Sequence, residues 1–293
     1  MNDPIGGWLL PAMMFGMMFA MGLALTPSDF RRIAQVPGPV ITGTLLQLVG
    51  MPLVGFGLAF LFELPPLLAV GFVVCAACPG GLGSNLFVHF GRANTALSIT
   101  LTATATTVTL FTLPFWIRAI QAGAGEIEVP LFDTMVELGG LTLVPVAIGM
   151  LARHIAPGLA RFERVLSLAF ATALVLVAVG DFRDGPDLSL ELFALSLWPA
   201  VALTAAALGV GFSVSRLAGQ TAADAVTIAV ELCVKNALLG IVVVSTAFET
   251  LEPSIPLFVY SGVMIPAAIL VLAIHRMHAR RSAKAEEEAA EPG

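Results

Sequence analysis

The chain reads as an all-α polytopic membrane protein. Three observations carry that reading: 58% of its 293 residues are hydrophobic, only 12% are charged, and the mean hydropathy is +0.94. A soluble domain carries roughly 25% charged residues. The three cysteines, Cys75, Cys78 and Cys233, all fall in apolar segments, which argues against an extracellular disulfide framework. Cys75 and Cys78 spell C-x-x-C, a weak metal or redox signal without further Cys or a His cluster. Met-Asn-Asp precedes the first apolar run with no Lys or Arg, unlike a cleaved secretory signal.

Crossing a hydrocarbon core takes roughly 20 apolar residues, and nine segments are predicted to do so. The first, Gly7–Leu25, is parted from Gly38–Phe62 by Arg31 and Arg32. Leu67–Phe90 follows, and Arg92 separates it from Thr95–Ile117. Arg118, Glu126 and Glu128 precede Pro130–Leu151. Arg153, Arg161 and Arg164 precede Val165–Val179, which is short and needs part of its flanks. The acidic stretch Asp181–Asp187 leads to Ser189–Ser213, Arg216 to Ala222–Phe248, and Glu249–Glu252 to Ser254–Ile274.

Cytoplasmic loops keep an excess of Lys and Arg. With the N-terminus outside, eleven of these residues face the cytoplasm and two, Arg118 and Arg183, face out, with Lys235 buried. One missed or invented helix would scramble every later loop. The expected location is therefore the cell inner (plasma) membrane, multi-pass, with the C-terminus cytoplasmic. Residues 1–279 form the transmembrane domain, and 280–293 form a charged tail expected to be disordered.

Two segments differ from the rest. The third carries Cys78-Pro79-Gly80-Gly81-Leu82-Gly83-Ser84-Asn85 near its middle, where proline removes a backbone donor and the glycines ease departure from helical geometry. It is predicted to break there, which a bilayer tolerates only where the freed backbone is buried in protein or lines a cavity. The eighth carries Glu231, Lys235 and Asn236, with Gly240 but no proline. Segments three and eight cross in opposite directions, as inverted repeats would, and a binding site is expected where such broken helices meet. The repeats are residues 7–118 and 130–275, so the first holds one helix fewer.

Charges at mid-membrane mark functional sites by default. Four residues apart, Glu231 and Lys235 are expected on one helix face as an ion pair; the plainer reading is a pair that merely joins helices. Ser98 and Thr102 share a face of the fourth segment, while Ser84 and Asn85 lie at the predicted break. With Glu231 they supply five oxygen-bearing side chains, a set suited to a hard monovalent cation. Of Thr100, Thr102, Thr104, Thr106, Thr107 and Thr109, most read as packing residues.

MFAMGLALTPSD at Met18–Asp29, CPGGLGSN at Cys78–Asn85, GRANTALSITLT at Gly91–Thr102 and ELCVKNALLG at Glu231–Gly240 together resemble the bile acid:sodium symporter family, in its nine-helix bacterial form. The resemblance implies an alternating-access transporter, not an enzyme, with a core domain around two broken crossing helices and a panel domain. It implies Na+ as the coupling ion, with no organic cofactor, no nucleic acid and no obligate protein partner. Sodium site one would use Ser84, Asn85, Ser98, Thr102 and Glu231. Site two would use Gln47, Glu231, the carbonyls of Leu232 and Val234, and the side chain at 235.

That last side chain is typically Gln in the family and is Lys here. The expectation is that Lys235 replaces the second sodium, pairing with Glu231 and donating to Gln47, so that one ion is coupled. The alternative is a proton-coupled or ion-independent carrier using the same pair. A small organic anion is the expected cargo, near Asn236, Leu82 and Gly83; Leu82 stands where the family often has Thr. Rival readings are a passive anion channel, a metalloid exporter using Cys78, and an intramembrane hydrolase using Ser84 and His89, whose spacing is wrong for one helix face.

Overall fold

The structure, a computed structural model, describes residues 10–24, 37–124, 131–163, 165–166, 169, 172, 190–248 and 251–290. The described residues are almost wholly helical. The expected segment Val165–Val179 lies mostly outside them, as do Arg31, Arg32, Glu126, Glu128, Asp181–Asp187 and Glu249.

The helices are α1 (Leu10–Ala24), α2 (Pro37–Leu61), α3 (Pro66–Ala77), α4 (Leu82–Gly91), α5 (Thr95–Ala124), α6 (Leu131–Ile155), α7 (Leu190–Leu217), α8 (Ala222–Cys233), α9 (Ala237–Ala247) and α10 (Ile255–Ala290). Among the described residues α2, α7 and the Glu252–Met277 stretch leading into α10 are each long and apolar enough to cross a membrane, and α5 joins them if its bent halves count as one span. Large apolar side chains stay exposed on α2 (Leu45, Phe60), α7 (Trp198) and α10 (Leu270). On a soluble protein such faces would be association surfaces; on a membrane protein they face lipid.

Local sequence explains the boundaries. Pro66 opens α3, where its missing N–H costs nothing. Arg92, in the left-handed conformation at φ 58°, closes α4. The Thr221 hydroxyl caps α8 by accepting from the Asp224 N–H at 3.1 Å. In α2 the residues Leu46–Gly50 form a π turn, and α5 bends by 61° between Thr95–Thr109 and Phe111–Ile120. Pro114 lies just past that bend and cannot donate to residue 110.

The tail departs from expectation: α10 runs on to Ala290, taking in most of residues 280–293. Its Ala, Glu, Lys and Arg content is strongly helix-forming, which the charge-based expectation of disorder passed over.

Helices α3 and α8 are the innermost. Residues 68–78 and 225–233 are buried without interruption. At the edge, α1 and α6 form the most extensive helix pair. A methyl on Gly22 would run into the Val146 carbonyl, and one on Gly149 into the Phe19 carbonyl. Small residues at such an interface let two backbones approach closely. Arg153 ties the pair by donating to Leu23 O at 2.8 Å.

Candidate functional site at the helix crossing

Both expected interruptions are present. Between α3 and α4 the chain is non-helical over Cys78–Gly81, and between α8 and α9 over Val234–Asn236. The two breaks lie against each other: Gly81 N donates to Val234 O at 2.9 Å and Asn236 N to Pro79 O at 2.8 Å, an antiparallel bridge centred on Gly80 and Lys235. Buried backbone groups freed from a helix must find partners, and here they find them across the crossing. Gly80 has no room for a side chain, because a methyl there would strike Glu231 Oε2.

Three further carbonyls at the breaks accept from side chains. Lys235 Nζ donates to Ala76 O at 2.9 Å, Gln47 Nε2 to Cys78 O at 2.6 Å, and Tyr260 Oη to Cys233 O at 2.7 Å. Lys235 thus places its ammonium at the C-terminal end of α3, the negative pole of that half-helix.

This corrects the expected helical pairing of Glu231 with Lys235. The helix stops at Cys233 and Val234 turns out of it at φ −85°, ψ 88°, so the four-residue spacing does not stack the two side chains. Nor does Lys235 donate to Gln47: its Nζ donates to Ala76 O, while Gln47 Nε2 donates to Cys78 O.

Glu231 is 3% exposed, and its carboxylate gathers three hydroxyls from two other helices. Ser84 Oγ lies 2.7 Å from Oε1, Thr102 Oγ1 lies 3.0 Å from Oε2, and Ser98 Oγ is also against Oε1. Asn85 Oδ1 joins the cluster, 2.7 Å from Ser98 Oγ and 3.5 Å from Thr102 Oγ1. All five side chains expected at one site are therefore together. The donors are too few: each hydroxyl carries one proton, yet Ser98 is within reach of both Glu231 and Asn85, and Ser84 of both Glu231 and Gly81 O at 2.6 Å. A set of oxygens with more lone pairs than protons fits a cation.

The other expected residues lie around this cluster. Asn236 caps α9, its Oδ1 accepting from Leu239 N at 3.1 Å, so its amide nitrogen is the group left for a ligand. Leu82 and Gly83 form the first turn of α4. Val234 O is used by Gly81. Leu232 lines a small cavity beside Glu231 together with Gln47, Gly80 and Thr44. Cys75, Cys78 and Cys233 are free, buried thiols.

The sequence reading did not single out Thr44, which lines the cavity, or Tyr260, which bonds Cys233 O. Tyr260 is the chain's one tyrosine and stands in an apolar segment, a signal that was available. Thr106 and Thr109 continue the Ser98–Thr102 register by steps of four and three.

Residues 11–182 match the family described as the Sodium Bile acid symporter family. A probable chloroplastic sodium/metabolite cotransporter of Oryza sativa subsp. japonica is 30% identical over 246 residues, covering 83% of this chain and 60% of that protein. An uncharacterized sodium-dependent transporter of Bacillus subtilis is 26% identical, covering 83% and 75%. The ileal sodium/bile acid cotransporter of Cricetulus griseus is 28% identical, covering 92% and 80%. The chain spans about three fifths of the length of the plant relatives it matches. With the family match running over more than half of its length, this chain belongs to the sodium bile acid symporter family.

Proposed function

We propose that the chain is a secondary active transporter that carries a small organic anion across the cell membrane, coupled to one sodium ion held by Ser84, Asn85, Ser98, Thr102 and Glu231. The oxygen surplus around Glu231 carries this reading: three hydroxyls, one amide oxygen and a carboxylate converge where the protons do not go round. The names of the relatives, which mention sodium beside bile acids or metabolites, support it. Lys235 stands in for a second ion, because its ammonium brings one fixed positive charge to the carbonyl end of α3. The half-helix N-termini of α4 and α9 meet at the same crossing, and their positive poles favour an anionic group beside Asn236.

In this reading nine crossings form two inverted repeats. Helices α1 and α6 belong to the panel, and the crossing helices with α2, α5, α7 and α10 make the core. A proton-coupled or ion-independent carrier is the second reading, favoured by the three hydroxyls at the Glu231 carboxylate, each of which has a proton that it can donate to it.

The test is thermal stability of the purified protein in sodium against potassium, for wild type and Glu231→Gln. A ligand at 100 times its Kd raises stability by about 2.7 kcal/mol. Wild type is expected to rise in melting temperature with sodium alone and Glu231→Gln not to respond. Equal response of wild type to both ions would sink sodium coupling.

A further inference from the structure

Six threonines lie between Thr100 and Thr109 on α5, and they divide sharply. Thr100, Thr104 and Thr107 each donate to the carbonyl four residues back, at 2.9, 2.8 and 2.9 Å. Thr102 serves Glu231. Thr106 and Thr109 are 1% and 0% exposed, and their hydroxyls have no hydrogen-bond partner among the described residues. The carbonyls of Thr102 and Ala105 lie four residues back, the position their neighbours use. A buried hydroxyl left unpaired calls for a ligand or a water to explain it.

Their position says what the ligand is. At 100° per residue Ser98, Thr102, Thr106 and Thr109 fall within about 80° of one helix face. Four hydroxyls therefore form one row over about 16 Å of helix. The first two are bonded to Glu231, and the last stands at the 61° bend that follows Thr109. Beyond that bend Trp116 Nε1 donates to Leu48 O at 3.0 Å, in the π turn of α2. The row thus runs from the carboxylate cluster to the bend of α5.

We propose that Thr106 and Thr109 hold water and form a hydrated row along which a monovalent cation reaches the Glu231 cluster. The inference rests on the sodium reading of that cluster only for the identity of the traveller; the hydration stands on the two hydroxyls themselves. Each oxygen offers a lone pair to a partly dehydrated ion and a proton to its water, so the ion exchanges its shell in steps rather than crossing dry helix packing.

The test uses the full chain in proteoliposomes. Thr106→Cys and Thr109→Cys are treated with a small cationic methanethiosulfonate, beside Ala103→Cys on the same helix and the parent, whose three cysteines are buried. The two threonine positions are expected to react and Ala103→Cys not to exceed the parent. Thr106→Val/Thr109→Val is expected to slow the initial uptake of radioactive sodium, at limiting sodium, by about tenfold while leaving the sodium concentration for half-maximal thermal stabilisation unchanged. Thr106→Ser/Thr109→Ser restores the rate. The proposal is overturned if neither cysteine reacts, or if the valine variant melts higher and transports like wild type, as dry packed hydroxyls would dictate. Equal loss in the serine and valine variants also overturns it, pointing to packing. Reaction of Thr106→Cys and Thr109→Cys, together with a wild type that sodium does not stabilise, would leave the hydrated row standing and remove the sodium site instead.

Discussion

Lys235 is 2% exposed and its ammonium is bonded to a backbone carbonyl rather than to Glu231. In the proposed reading it is a tethered cation at the end of a half-helix, and its removal should open a place for a free one. Lys235→Gln keeps a donor for Ala76 O but deletes the charge. Uptake measured against sodium concentration is expected to steepen, the Hill coefficient moving from about one towards two; an unchanged curve would show that Lys235 replaces no ion. Lys235→Met leaves Ala76 O unpaired and is expected to cost about 1–3 kcal/mol of stability, read by thermal melting. Much of the carboxylate cluster was legible because a charge in an apolar run is conspicuous, and because Ser98 and Thr102 share a face at helical spacing. The partner of Lys235 was not legible. Spacing predicts contacts only inside an unbroken helix, and here the helix ends two residues before it. Tyr260 shows the same limit: its hydroxyl serves Cys233 O from 27 residues away, a contact that only the tertiary arrangement creates.

At the level of elements, the two breaks have different causes. Pro79 and its glycines write the first into the sequence, whereas nothing between Glu231 and Gly240 forbids a helix. The second is imposed from outside: Gly81 and Pro79 take up the backbone of Val234 and Asn236, and the Asn236 side chain then restarts a helix as its cap. A break that depends on its partner is visible only once both are in place. The pairing of α1 with α6 is likewise tertiary, though Gly22 and Gly149 prepare it. Gly149→Ala would press a methyl against the Phe19 carbonyl and force two backbones apart, at a cost of about 1–3 kcal/mol. Gly140→Ala is the matched control in the same helix, because a methyl there meets nothing within 4 Å, and it should change stability by no more than about 0.5–1 kcal/mol. Equal melting temperatures for the two variants would show that close packing of α1 on α6 is not what holds this pair.

For the molecule as a whole, the governing quantity is the asymmetry of charge. Eleven Lys and Arg residues against two can be kept on one side only if an odd number of crossings separates the termini and each loop falls where its charge dictates. The broken helices count as one crossing each in that scheme, since α3 with α4 and α8 with α9 supply about 22 and 23 helical residues, close to the roughly 20 a span needs. The acidic loops and the basic ends are therefore expected on opposite faces. A cysteine placed at Lys284 should react with a membrane-impermeant maleimide only after cells are opened, and one placed at Glu128 should react in intact cells. The parent, with its three thiols buried, supplies the background. Labelling of Lys284→Cys from outside would invert the orientation. Labelling of both positions from one side would mean that an even number of crossings separates Glu128 from Lys284, and the inverted-repeat arrangement would fall with it. The scheme places five crossings between these two positions, an odd number, so only opposite-side labelling is compatible with two half-helix pairs meeting head to head at mid-membrane.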